Sequence, residues 1–201
     1  MRHPLTLAVL ALAAAAAALV AQAPAENPRV VLDTGLGQIE IELDAARAPV
    51  TVANFLKYVD GGFYEAGRFY RTVRSDPDNQ PDNDVKIDVV QGTISPARRR
   101  DRFPAIPLER TRATGLHHVN GTVSMARDGP DTGTYEFFIC LGDQPALDFG
   151  GARNPDGQGF AAFGQVVRGL DVVRKIQLAP ADGQTLAPPV RILSARRVHE
   201  E

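Results

Sequence analysis

Apolar and polar residues alternate with period two in several short stretches of the chain and with helical period in two longer ones. Gln38–Leu43 sets Ile39, Ile41 and Leu43 against Gln38, Glu40 and Glu42, the pattern of a strand with one buried face. Arg29–Asp33 precedes it, and Thr34-Gly35-Leu36-Gly37 between them reads as a hairpin turn. Further strands are expected at Arg68–Val73, Val85–Gln91, Gly121–Ala126, Tyr135–Leu141, Gly159–Val167 and Val190–Val198. Pro49 suits the first turn of a helix. Val52, Phe55, Leu56 and Val59 then share one helical face, and Gly61-Gly62 ends the run. A second helix is expected over Leu170–Ile176, after Gly169. Ser75–Asp84 is a polar loop, residues 93–118 lack period, and Asn154-Pro155-Asp156-Gly157 is a turn. Short strands with two separated helices predict a mainly β fold, a closed antiparallel barrel capped by two α-helices. No repeat and no linker divides it.

The N-terminus follows a different rule. Arg2 and His3 lead into an apolar run from Leu5 to Val20, and small residues follow at Ala21, Ala23 and Ala25. This is the layout of a secretory signal. Cleavage is expected after Ala25, because a cut after Ala23 would leave Pro24 first. The apolar run falls short of the roughly 20 residues that a spanning helix needs. The chain thus divides into a signal peptide, 1–25, and one domain, 26–201. A periplasmic protein is expected, with secretion as a further destination and no stable membrane span after cleavage.

Composition sharpens this modestly. A chain of 201 residues buries about 70% of its unfolded surface, enough for a core without staples. Cys140 is the single cysteine, which excludes an internal disulfide. The formal net charge of −2 gives no reason to expect a nucleic-acid partner.

Three motifs carry a specific likeness. Phe69-Tyr70-Arg71 resembles the Phe-His-Arg of cyclophilins. Val89-Val90-Gln91-Gly92 resembles their Met-x-Gln-Gly strand. Gly121-Thr122-Val123-Ser124-Met125-Ala126-Arg127, running into Glu136-Phe137-Phe138-Ile139, resembles G-T-x-[AS]-M-A-R…Q-F-F-I of bacterial members. The order is right, and Gly164–Ile176 resembles the strand and helix that follow. The resemblance implies an eight-stranded barrel and a peptidyl-prolyl cis-trans isomerase, or rotamase, with its site in an outer groove. Its substrates would be proline-containing polypeptides, and it would act as a monomer assisting the folding of exported proteins. Carried over residue by residue, Arg71 would be the catalytic arginine and Gln91 its polar neighbour. Val89, Phe138, Leu147 and Phe160 would surround the proline ring, and Ala126 and Arg127 would offer backbone to the peptide. The alternative is a peptide-binding or chaperone module that keeps the groove with weak or no catalysis.

The residue types suit the reaction. An amide resists rotation by about 18–20 kcal/mol because its C–N bond is partly double. Twisting breaks no bond, so neither metal nor cofactor is expected. Arginine is always charged and only donates hydrogen bonds. A donor aimed at the prolyl nitrogen grows stronger as the lone pair localises, which is binding that favours the transition state. Phe137 and Phe138 point to opposite faces of a strand, so one can be core while the other lines a groove.

Four positions depart from the common cyclophilin pattern. Ala146 stands in place of Trp or Phe, which opens the rim. Phe160 stands in place of His or Tyr, Asp88 in place of Phe, and Glu136 in place of Gln. Glu136 is expected either to pair directly with Arg71 or to face solvent. Asp88 is expected to face away from its neighbour Val89.

Other constellations carry less. Asp76, Asp78, Asn79, Asp82 and Asp84 resemble a calcium loop, but Pro81 and Ile87 occupy the sixth and twelfth places, where Gly and Glu are needed. His117-His118 lacks a further zinc ligand nearby. Ser124, His118 and Asp128 lack a hydrolase elbow. Arg98-Arg99-Arg100-Asp101-Arg102 reads as a solvated basic loop.

Overall fold

The computed structural model describes residues 27–198, so the expected signal segment lies outside the described residues. The chain opens with β1 (Arg29–Thr34) and β2 (Gly37–Leu43), paired antiparallel with Leu32 opposite Ile39. Thr34 braces the hairpin: its hydroxyl donates to the Gly37 carbonyl and accepts from the Leu36 N–H. Helix α1 (Pro49–Asp60) follows. It buries Val52, Phe55, Leu56 and Val59 as the helical spacing predicts. Its first turn has no acidic residue of its own; Glu109, far along the chain, instead accepts from the Val50 and Thr51 N–H groups. That satisfies orphan donors and sets a negative charge against the positive end of the helix.

The remaining elements are β3 (Arg68–Val73), β4 (Val89–Thr93), a 3₁₀ turn at Pro96–Asp101, the single-turn helix α2 (Thr111–Thr114), β5 (Thr122–Met125) and β6 (Phe137–Cys140). Then come a 3₁₀ turn at Pro145–Leu147, β7 (Ala161–Arg168), α3 (Leu170–Gln177), β8 (Ala181–Asp182) and β9 (Thr185–Arg197). The strand order is β1-β2-β7-β5-β6-β4-β3-β9, and β9 returns to pair with β1. This is the eight-stranded closed antiparallel barrel that the resemblance implied. β8 is a short flap on β9.

The strand expected at Val85–Gln91 begins only at Val89. Before that point the Gln80 side chain takes the place of a neighbouring strand: its amide donates to the Ile87 carbonyl and its oxygen accepts from the Ile87 N–H. The strand expected from Val190 starts earlier, at Thr185, and runs through a cis Ala187-Pro188 bond. The strand expected from Gly159 starts at Ala161. Gly159 has a φ of +65°, and a Cβ there would lie 2.5 Å from the Asp148 carbonyl carbon. The long connection over 93–118 contains the two turns named above rather than being wholly irregular.

Two apolar clusters result. The larger one fills the barrel and joins it to α1 and α3. Phe55 there meets Tyr64, Phe137 and Phe163 at ring distances of 5.2–5.6 Å. The smaller one lies apart and contains Val73, Ile87, Val89, Phe138, Cys140 and Leu147, with Ala126 and Phe160 against it. Strand alternation produces this split: Phe137 and Val90 belong to the first cluster, Phe138 and Val89 to the second.

Candidate active site

The register draws a single row across the outer face. Thr185 on β9 stands opposite Arg71 on β3, Arg71 opposite Gln91 on β4, Gln91 opposite Phe138 on β6, and Phe138 opposite Ser124 on β5. Directly opposed residues share a face. Three chain-distant motifs therefore meet side by side.

That row borders a cleft of about 500 Å³. Arg71, Gln91 and Glu136 line its polar side; Val89, Phe138, Leu147 and Phe160 line its apolar side; Ala126 and Arg127 complete it. All nine site residues expected from the sequence are brought together there. Ala146 is not among the lining residues. Phe138 meets Phe160 edge to face at 5.2 Å, a favoured arrangement of two rings.

The Arg71 guanidinium is fixed from two sides. Its Nε and Nη2 donate to Gln184 Oε1 at 2.9 and 2.6 Å, and its Nη1 donates to Gln91 Oε1 at 3.1 Å. Arginine has five N–H bonds, so one remains on each terminal nitrogen. Gln184 is in turn anchored: its amide donates to the Asn79 carbonyl at 2.8 Å, and Asn79 donates to the Gly183 carbonyl. Gln184 was not foreseen, because it lies 113 residues from Arg71. The Asp182-Gly183 pair ahead of a strand was the available signal for a hairpin there.

Glu136 neither pairs with Arg71 nor faces solvent, which corrects both expectations. Its carboxylate accepts from the Tyr70 hydroxyl at 2.8 Å, the Gln91 amide at 2.9 Å and the Thr93 hydroxyl at 3.0 Å. Burial first, and the neighbouring Glu136 charge second, push the Tyr70 phenol well above its ordinary value, so it stays a donor. Asp88 faces away from Val89 as expected. It accepts from the Ser75 N–H and the Gln177 amide.

Arg127 does not spend its side chain on the cleft opening. Its Nε donates to the Gly159 carbonyl at 2.8 Å, its two terminal nitrogens hold Asp156, and its guanidinium lies 5.0 Å from the Phe160 ring centre. The pair lowers Asp156 to about 2, with the Arg127 hydrogen bonds as the main cause. Arg127 thus secures the loop that carries Phe160, while Arg127 and Ala126 both line the cleft.

Behind Phe138 lies a buried polar chain. His118 stacks on Phe138 at 5.9 Å between ring centres; its Nδ1 meets Asp148 at 2.6 Å and its Nε2 meets the Ser124 hydroxyl at 2.9 Å. Asp148, rather than Asp128, is the carboxylate of this set. Asp148 also meets His117 Nδ1 at 2.8 Å. Ser124 and His118 are buried, so the set supports the floor of the cleft and is no exposed nucleophile. Among the described residues no group of three or more His, Cys, Asp or Glu could hold a metal, and no helix is long and apolar enough to cross a membrane.

Comparison with known proteins agrees with this geometry. The family model "Cyclophilin type peptidyl-prolyl cis-trans isomerase/CLD" matches residues 29–197. A peptidyl-prolyl cis-trans isomerase of Acinetobacter baylyi is 32% identical over 176 residues, covering 85% of this chain and 85% of that protein. Peptidyl-prolyl cis-trans isomerase A of Dickeya dadantii is 34% identical over 151 residues, covering 75% and 71%. A crystal structure of a cyclophilin type peptidyl-prolyl cis-trans isomerase from Cryptosporidium parvum superposes with a TM-score of 0.69 at 19% identity, covering 87% of this chain and 99% of that one, which speaks for the fold. A barrel closed in this order, three motifs in one row and a family match over nearly the whole described chain place the protein in the cyclophilin-type peptidyl-prolyl cis-trans isomerase family.

Proposed function

We propose that this isomerase acts on X-Pro bonds of exported polypeptides during their folding, with Arg71 as the catalytic residue. The observation that carries the site assignment is the fixed guanidinium of Arg71 beside an apolar cleft, with one unspent N–H on each terminal nitrogen. The proline ring sits against Val89, Phe138, Leu147 and Phe160. Ala126 and Arg127 present backbone to the extended peptide. With the ring held, the acyl side rotates. The prolyl nitrogen then loses resonance and accepts from Arg71.

The energetics set the scale. Uncatalysed X-Pro isomerisation takes roughly 10–100 s. A hydrogen bond to a charged group contributes about 1.5–3 kcal/mol, or roughly ten- to a hundredfold in rate. Gln184 and Gln91 hold the guanidinium in place before the substrate arrives, so little reorganisation is needed when the lone pair appears. The apolar wall adds to the rate by excluding water, which stabilises the planar, dipolar amide.

Exchange NMR on a capped X-Pro peptide tests this. Wild type should collapse the separate cis and trans signals at substoichiometric enzyme, and Arg71→Ala should lose about tenfold or more. Equal rates for the two proteins would leave a peptide-binding module in place of an enzyme site. The setting is the periplasm, supported by the layout of residues 1–25. Cell fractionation with N-terminal sequencing should recover a soluble product beginning at Glu26; a cytoplasmic product beginning at Met1 would refute export.

A further inference from the structure

Resting on the reading of this cleft as the peptide site, the geometry points to an anion-selective subsite formed by Arg153 together with Arg71, which favours substrates carrying an acidic side chain next to proline.

Arg153 lies on the loop before Phe160 and lines the same cleft as Arg71. Its Nη1 donates to Gln80 Oε1 at 2.8 Å and to the Val85 carbonyl at 2.6 Å. Arg71 likewise bonds only to the amide oxygens of Gln184 and Gln91. Two guanidiniums that share one cleft are therefore oriented by neutral acceptors. Among the described residues neither forms an ion pair.

The carboxylates in and beside the cleft leave both guanidiniums without an ion pair. Glu136 is occupied by Tyr70, Gln91 and Thr93. Asp156 is held by Arg127. Asp128 is exposed at the rim, beyond ion-pair distance of both. Partial burial lowers the Arg153 pKa, and the charge of Arg71 lowers it further, as two close cations require. A half-buried cation without a counter-charge gains most from an incoming carboxylate, since part of its hydration is already lost. The planar guanidinium matches a carboxylate with two parallel hydrogen bonds. A basic side chain at the same place would face two like charges.

A position next to proline follows from the geometry of a short peptide. Consecutive Cα atoms are about 3.8 Å apart, so a residue flanking a ring seated against Phe138 stays within the cleft that Arg71 and Arg153 share. Gln80 also ties Arg153 to the loop before Ile87, which keeps the guanidinium from swinging into solvent.

The test is a set of end-capped peptides with Glu, Gln or Lys at the residue before proline, and a second set with the same residues after it. Exchange NMR gives kcat/KM for each at low salt. Glu should exceed Gln by roughly three- to tenfold in at least one set, and Lys should fall below Gln. The advantage should shrink at high ionic strength. In Arg153→Gln the Glu-to-Gln ratio should move towards one, and Arg153→Lys should keep part of it. Should Arg153→Gln not fold, the ratio in wild type and its salt dependence decide the matter. Equal rates for Glu and Gln in both sets, or an advantage that persists in Arg153→Gln, overturn the subsite. Absence of catalysis on every peptide would instead overturn the reading of the cleft itself.

Discussion

The side-chain amide of Gln91 donates to the carboxylate of Glu136 at 2.9 Å. The same amide accepts from Arg71 through its oxygen at 3.1 Å. An ionised carboxylate can only accept, so Glu136 decides which end of the Gln91 amide faces Arg71. Glutamine at position 136 would remove that constraint, because an amide can also donate. Glu136→Gln is expected to lower kcat about fivefold with KM changed less, matching about 1 kcal/mol for one relayed hydrogen bond. Exchange NMR at saturating peptide measures it. An unchanged kcat would remove Glu136 from the catalytic arrangement.

Gln184 anchors the other side of Arg71 through one oxygen shared by two N–H groups. Gln184→Ala leaves the apolar wall intact and frees the guanidinium to rotate. kcat should fall about tenfold, as expected for loss of a bond to a charged group, with KM nearly unchanged. A fall confined to KM, or one that follows thermal stability alone, would mean that Gln184 acts only on the hairpin.

How far the sequence revealed the site follows from where the partners lie. Arg71, Gln91 and Phe138 were legible because each sits in a motif on a strand, and strand alternation gives the face. The expectation for Glu136 failed because it precedes β6 by one residue. At that position alternation no longer tells whether Arg71 or Gln91 is the nearer partner. Gln184, Asp148 and Arg153 were hidden for a different reason. They stand on turns, and their partners are 113, 30 and 73 residues away. No local periodicity encodes such pairings. The barrel was legible because most strands announce themselves singly, while Val85–Ile87 looked like a strand whose partner proved to be a side chain.

Asp148 supplies a pH prediction. Burial alone raises its pKa, but the bonds from His118 and His117 outweigh this and hold it below the ordinary carboxylate value. A carboxyl lowered by folding stabilises the folded state above its unfolded pKa, about 3.9. That contribution is lost as pH falls through the folded value. Melting temperature should therefore drop below about pH 4. Asp148→Asn should melt lower at neutral pH and show a shallower acid limb. A calorimetric series showing parallel acid limbs for the two proteins would contradict the assignment.

Gly92 follows Gln91 and is buried in β4. A Cβ at this position would lie 2.7 Å from the Phe137 ring, itself wedged against Phe55, Tyr64 and Phe69. Gly92→Ala should cost about 2 kcal/mol by overpacking, a decrease in Tm of about 6 °C for a domain this size. Thermal melts of the two proteins check it. Equal melting temperatures would show that Phe137 can move aside.

The pairing of β9 with β1 has a consequence for how an extended polypeptide can meet this barrel. Every barrel strand has a hydrogen-bonded neighbour on both sides, and the flap strand β8 is two residues long. An exposed strand edge is a template on which another extended chain can dock and stay. Among the described residues, the closed barrel offers no such template. Such a chain meets side chains along the barrel strands, not a row of unpaired N–H and C=O groups.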